Sequence, residues 1–316
     1  MKSFQFPVGQ MPAIGLGTWL MEDGSATAAV KSALYSGYRH IDCAPIYMNE
    51  KDVGQAFSEV FQEGSISRED VWITSKLWCN RHRRDLVEGA LKETLADLQL
   101  EYLDLYMIHW PVAFKHDIHR PESGTDLLSL EEMPLIDTWG AMEECLKSGL
   151  CKNIGVCNFS QKKLQLLLDQ GTVKPAADQV ECHPFFPQDD LREFCQNTGI
   201  QLVAYSPLGS PARPERMIGE NDPSLFEQDQ VKQLATSKGI TVGQVLLAWA
   251  ISRGTVAIPK SANPERQKEN LAAGSIELSA DEFKLVDEIA IRHRFVHGEF
   301  WVMEDGPYTL ANLWDE

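Results

Sequence analysis

No run in this 316-residue sequence approaches the roughly 18 apolar residues that a membrane-crossing helix needs, and its start, Met-Lys-Ser-Phe-Gln-Phe-Pro, lacks the apolar core of a secretory leader. No membrane association is expected. Basic charge is scarce: 29 Lys and Arg stand against 46 Asp and Glu, a formal net charge of −17. Phosphate-bearing polymers are held by clustered cations, so nucleic acid is not expected as a partner and a small molecule is. The seven cysteines (Cys43, Cys79, Cys145, Cys151, Cys157, Cys182 and Cys195) are odd in number and contain no Cys-x-x-Cys pair. That argues against a disulfide framework or a zinc knuckle and fits a reducing, cytoplasmic setting. No internal repeat or low-complexity tract is visible. Also missing is the third glycine of a dinucleotide-binding turn: Gly15-Leu-Gly17-Thr-Trp-Leu carries two, which counts against an open doubly wound sheet.

What the sequence does have is alternation. Phe4 to Ile14 reads as a hairpin, and Ile14-Gly-Leu-Gly-Thr-Trp as a short buried strand. Further strands are expected at Tyr38–Ile41, Val71–Ser75, Tyr102–Ile108, Asn153–Cys157, Ala176–Glu181, Gln201–Tyr205 and Thr255–Pro259. Helices are expected between them, at about Ser25–Ser36, Glu50–Phe61, Asp85–Leu98, Leu135–Ser148, Gln161–Asp169, Leu191–Gln196, Gln228–Lys238 and Val242–Arg253, with two more from Pro264 and Ala280. Eight such units predict a (β/α)8 barrel, here one domain spanning 1–316. Two stretches break the rhythm, 112–135 and 211–225, and the tail from Arg292 reads as aromatic and irregular.

Strand ends of a parallel barrel converge on one mouth. Those ends are Thr18 and Trp19, Asp42 with Tyr47 beyond Pro45, Lys76, His109, Asn158, Gln179, Tyr205 with Ser206, and Lys260 with Ser261. Taken singly, a loop tyrosine packs, a lysine is solvated and an aspartate caps a helix; together they make a candidate site. A lysine cation lowers the pKa of a nearby phenol, and a carboxylate holds that cation in place, so Tyr47 is the expected general acid. His109 can orient a carbonyl oxygen. Asn263-Pro264 starts a helix to which Lys260, Ser261 and Arg266 bring cations and a hydroxyl, which suits a phosphate. Tyr205 offers a ring for nicotinamide, with Asn158 and Gln179 for its carboxamide.

Through Gly37-Tyr-Arg-His-Ile-Asp to Gly54, Gly155-Val-Cys-Asn-Phe159 and Ile258-Pro-Lys-Ser with Arg266, Glu269 and Asn270, the chain resembles the aldo-keto reductases of the aldose and aldehyde reductase group, xylose reductases being close relatives. The resemblance implies NADPH-dependent reduction of aldehydes to primary alcohols, with Asp42, Tyr47, Lys76 and His109 as catalytic tetrad. It implies Thr18, Trp19, Asp42, Cys157, Asn158, Gln179 and Tyr205 among the residues that bind NADPH/NADP+. Ser206, Leu208 and Ser210 follow along the pyrophosphate, Lys260, Ser261 and Arg266 at the 2′-phosphate, and Glu269 and Asn270 at the adenine. Trp19, Tyr47, Trp78, His109, Trp110, Phe114 and Trp301 are the implied pocket for a small carbonyl substrate. The family is often monomeric. Cys157 departs from its usual Ser, and the loop after Ser210 has no directly matching acid to clasp a cofactor.

Three other readings compete. A sugar reductase of the xylose type differs only in relative efficiency towards xylose, glyceraldehyde and aromatic aldehydes. A regulatory protein would bind the cofactor with little turnover, against which the complete tetrad speaks. A zinc hydrolase would use His116-x-x-His119 with Asp117, but no third and fourth ligand is evident and no metal is expected.

Overall fold

The computed structural model describes residues 2–21 and 24–316. Eight parallel strands follow one another around a barrel in sequence order: β1 (Leu16–Gly17), β2 (His40–Asp42), β3 (Trp72–Leu77), β4 (Leu105–Ile108), β5 (Ile154–Cys157), β6 (Ala177–Glu181), β7 (Gln201–Tyr205) and β8 (Val256–Ala257). The seam closes by backbone bonds from Gly15 N to Ala257 O (2.9 Å), Ala257 N to Ala13 O (2.9 Å) and Gly17 N to Pro259 O (3.1 Å). A Cβ on Gly17 would stand 2.9 Å from Ile258 O, so the seam demands glycine there.

Strand side chains alternate between two faces, and both faces are dry. Trp72, Leu105, Met107, Cys157, Ala177 and Val203 fill the barrel with Phe6 and Met11 from the N-terminal hairpin (Ser3–Gln5 with Gln10–Pro12). Phe6 plugs the bottom, its ring 4.8 Å from that of Trp72. Ile73, Leu77, Tyr106, Ile108, Val156 and Val180 take the opposite phase and join the core under the helices.

Those helices are α1 (Ser25–Tyr35), α2 (Glu50–Glu63), α3 (Arg84–Leu98), α4 (Leu135–Lys147), α5 (Gln161–Gln170), α6 (Asp189–Thr198), α7 (Asp229–Lys238), α8 (Val242–Ser252), α9 (Pro264–Ala272) and α10 (Ala280–Asp287). The expected α2 face of Val53, Ala56, Phe57 and Val60 is buried. α9 starts as its sequence implies, Asn263 Oδ1 accepting from Glu265 N and Arg266 N at 3.0 Å each, with Pro264 at the first helical position. No single described helix is long and apolar enough to cross a membrane.

Three expectations are corrected. The second strand lies at His40–Asp42, later than Tyr38–Ile41, because Tyr38 leaves the sheet to donate its hydroxyl to Gln267 O of α9. The 112–135 stretch, expected only as a break in the rhythm, has strands of its own: Ala113–Phe114 pairs with Leu127–Leu128 as a small hairpin. The tail is not wholly irregular, since α11 (Leu310–Trp314) is set by a capping box in which Thr309 Oγ1 accepts from Asn312 N and Asn312 Oδ1 from Thr309 N. At five residues it is too short for a periodic signal.

Candidate active site

At the C-terminal ends of the strands a cleft of about 1820 Å³ opens across the barrel mouth. Residues in the inward phase just at or past each strand end meet here: Asp42, Cys157, Gln179 and Tyr205 line it with Thr18, Trp19, Tyr47, His109 and Asn158. Lys76 has the same phase but is wholly covered, behind Asp42 and Tyr47. Its Nζ donates to Asp42 Oδ1 at 2.5 Å, Cys43 O at 2.9 Å and Tyr47 Oη at 3.4 Å. Asp42 is fixed from its other side, Gln179 Nε2 donating to Oδ2 at 2.8 Å, while Thr18 Oγ1 donates to its main-chain oxygen at 2.9 Å. The ring of His109 stands edge-on to Tyr47 at 5.8 Å and to Trp78 at 5.2 Å.

Burial works against the Lys76 charge, but Asp42 and Tyr47 outweigh it and its pKa lies above the ordinary lysine value. For Tyr47 the balance runs the other way from the sequence expectation. The Lys76 cation does pull its pKa down, yet desolvation of the phenol is larger and leaves it above the ordinary tyrosine value. The phenol therefore keeps its proton at neutral pH. Burial and the Lys76 charge together hold His109 well below the ordinary histidine value, so its imidazole is neutral.

The amides are less free than expected. Asn158 Nδ2 donates to His109 O at 3.0 Å and its Oδ1 accepts from the Tyr205 hydroxyl at 2.8 Å, leaving one N–H and one lone pair for a ligand. Leu20, Met48, Asn158, Ser206 and Ser210 have left-handed φ values of 59°, 58°, 63°, 48° and 48°. Of these, Leu20, Asn158, Ser206 and Ser210 line the cleft.

From the strand ends the cleft continues past Ser206, Leu208 and Ser210 to Lys260, Ser261, Arg266, Glu269 and Asn270. Among the described residues neither Lys260 nor Arg266 is paired with a carboxylate through its side chain. At the other end Trp78, Trp110 and Trp301 line it, but Phe114 does not: it is buried behind them, its ring 6.2 Å from Trp78 and 6.1 Å from Trp301. The small hairpin turns it inward. Asp222 in the 211–225 loop bonds Arg213 and lies 3.1 Å from His293 Nε2, tying that loop to itself and the tail. Among the described residues no three His, Cys, Asp or Glu side chains converge to hold a metal ion, His116 and His119 included.

Sequence reasoning missed Phe226, and Thr241 to Gly243 at the start of α8, all of which line the cleft; the tail, which the family resemblance implies in substrate choice, lines it through Phe295, Val296, His297, Phe300 and Met303. The capping box Thr241-x-x-Gln244 marked a helix start, but nothing in it pointed to the mouth.

A family model described as "Aldo/keto reductase family" matches residues 13–291. The chain is 48% identical, in an alignment of 317 positions that covers 100% of this chain and 97% of the relative, to a protein named aldo/keto reductase slr0942 from Synechocystis sp.. It is 43% identical to aldo-keto reductase family 1 member A1 of Sus scrofa, over 91% of this chain and 88% of that one. A solved structure titled as the aldose reductase from Schistosoma japonicum superposes with a TM-score of 0.86 at 36% identity, covering 95% of this chain and 96% of its own. With a barrel of this order, its polar strand ends gathered in one cleft and relatives matching nearly end to end, the chain belongs to the aldo/keto reductase family.

Proposed function

We propose that the protein reduces aldehydes to primary alcohols with NADPH, Tyr47 acting as the general acid. The observation that carries this reading is the chain of contacts from Gln179 through Asp42 and Lys76 to the Tyr47 hydroxyl, ending beside His109 at a cleft. The residues present suit the cofactor. Lys260, Ser261 and Arg266 supply two cations without a carboxylate partner among the described residues and a hydroxyl for a 2′-phosphate in a chain of net charge −17, which is the basis for NADPH over NADH. Ser206, Leu208 and Ser210 would follow the pyrophosphate, Glu269 and Asn270 the adenine, and the Tyr205 ring the nicotinamide. When bound, NADPH supplies a hydride.

The protein's own part is proton delivery and orientation. Tyr47, kept protonated by burial, donates its hydroxyl proton to the substrate oxygen as negative charge grows there, and the adjacent Lys76 cation stabilises the phenolate left behind. Asp42 keeps Lys76 charged and aimed. His109, neutral, can donate one N–H to the same oxygen, and Trp78, Trp110 and Trp301 exclude water from the reacting end.

The reading is tested by following NADPH consumption with DL-glyceraldehyde, xylose and a nitrobenzaldehyde. Turnover with at least one is expected, and Tyr47→Phe should lose most of it, about a hundredfold or more, while NADPH binding is nearly intact. Full turnover by Tyr47→Phe would remove Tyr47 from the acid role.

A further inference from the structure

The strand that holds Gln179 against Asp42 ends, two residues on, in a carboxylate for which the proton relay has no use. Glu181 is buried, and three donors converge on it. Its Oε1 accepts from Phe295 N at 2.6 Å and faces His183 Nε2 at 2.7 Å, and its Oε2 accepts from Val296 N at 2.8 Å. Burial opposes its charge, yet His183 and the two peptide N–H groups hold its pKa below the ordinary carboxylate value. The His183 ring also packs on Phe295, 5.0 Å between centroids.

Phe295 and Val296 are tail residues. Both line the cleft, and they lead directly into His297, Phe300 and Trp301, which wall its aromatic end. Two consecutive peptide N–H groups held by both oxygens of one carboxylate have little freedom to rotate or slide, and hydrogen bonds to an ionised acceptor are about twice as strong as neutral ones. Other tail contacts reach segments outside the barrel strands: His293 N donates to Phe185 O at 2.9 Å, and the Arg294 guanidinium lies between the rings of Phe186 and Trp314 at 4.5 and 4.1 Å. The Glu181 contact reaches β6 itself, in register with Tyr205 of β7. One strand thus fixes both Asp42 and the beginning of the aromatic wall.

We propose that Glu181 is a positioning residue that sets the substrate wall in register with the Asp42, Lys76 and Tyr47 group, and so governs which carbonyl compounds fit. The inference rests on the reductase reading of the cleft. Glu181→Gln keeps the volume but puts an N–H2 group against a donor. Its KM for a nitrobenzaldehyde should rise about tenfold, while KM and kcat with DL-glyceraldehyde change less than about threefold and NADPH affinity, read by tryptophan quenching, less than about twofold. Glu181→Asp, which restores the charge at shorter reach, should recover part of the KM.

Hydrogen exchange gives an independent readout. In the parent protein the Phe295 and Val296 amides should exchange as slowly as β6, and in Glu181→Gln they should speed up together with 299–303. An unchanged KM ratio between the two aldehydes, or an equal loss of kcat, KM and NADPH affinity, would overturn the proposal. Should the Gln variant fail to fold, parent amides at 295–296 exchanging as fast as those of the exposed Glu304 and Asp305 would overturn it as well. Absence of any turnover by the parent would instead refute the reductase reading, and the exchange experiment would still judge the hold of Glu181 on the tail.

Discussion

Lys76 Nζ lies 2.5 Å from Asp42 Oδ1 in a position where neither side chain meets solvent to any useful extent. Removing one member of such a pair leaves the other charge buried and unpaired, whereas removing both leaves none. Asp42→Asn alone should therefore cost about 3–5 kcal/mol in urea unfolding, and Asp42→Asn combined with Lys76→Met should recover at least half of it. A double variant no more stable than the single one would show that the pair is not the source of the loss.

A second buried carboxylate, Glu50, starts α2 and accepts from Ser75 Oγ at 2.5 Å and Thr94 Oγ1 at 3.2 Å. Burial raises its pKa from 4.5 to about 7, only partly offset by those two hydroxyls. Between these values the folded state keeps a proton that the unfolded chain has lost, so this group's contribution falls as pH rises and levels off above about 7. The full change is roughly 3 kcal/mol. Glu50→Gln should thus gain on the parent protein between pH 5 and pH 8 in paired urea titrations, and parallel curves would refute this.

Neutralising the cations at the start of α9 tests the cofactor preference. Lys260→Met with Arg266→Met should weaken NADPH about a hundredfold and NADH by less than about threefold, as measured by fluorescence titration. Equal losses would mean that the 2′-phosphate is read elsewhere.

Gly54 allows α2 to cross α3 closely: a Cβ there would stand 2.2 Å from Asp97 O and 2.7 Å from the carbonyl carbon of Leu98. The obstruction is backbone, which cannot swing aside. Gly54→Ala should destabilise by about 3 kcal/mol despite alanine's better helix propensity, and a higher melting temperature would contradict the close crossing.

Much of the barrel could be read from sequence because most side chains of parallel strands covered on both faces are apolar, and because a two-residue alternation decides which side chains face the mouth. That phase brings Asp42, Lys76, Gln179 and Tyr205 together without any of them being neighbours in the chain. What could not be read depends on partners distant in sequence. Phe114 looks like a pocket aromatic until the hairpin with Leu127–Leu128 turns it inward. The Tyr47 pKa depends on a contest between burial and a lysine cation, and only three-dimensional packing decides how deeply the phenol is buried. Likewise Glu181 is one more acid in a strand until the tail, more than a hundred residues later, brings two N–H groups to it.

The seam between β1 and β8 has a consequence for biosynthesis. β1 leaves the ribosome among the first elements, yet its second neighbour is Ala257, in the last barrel strand. At roughly 5–20 residues per second, β1 spends on the order of tens of seconds with one edge open. During that interval the hairpin bearing Phe6 and Met11 has only part of a barrel to plug, and the nascent sheet presents a free edge of the kind that invites mispairing. Ribosome-bound chains ending before Thr255 should accordingly be cut readily by protease, and the full chain after release should resist it once the last strand has closed the ring.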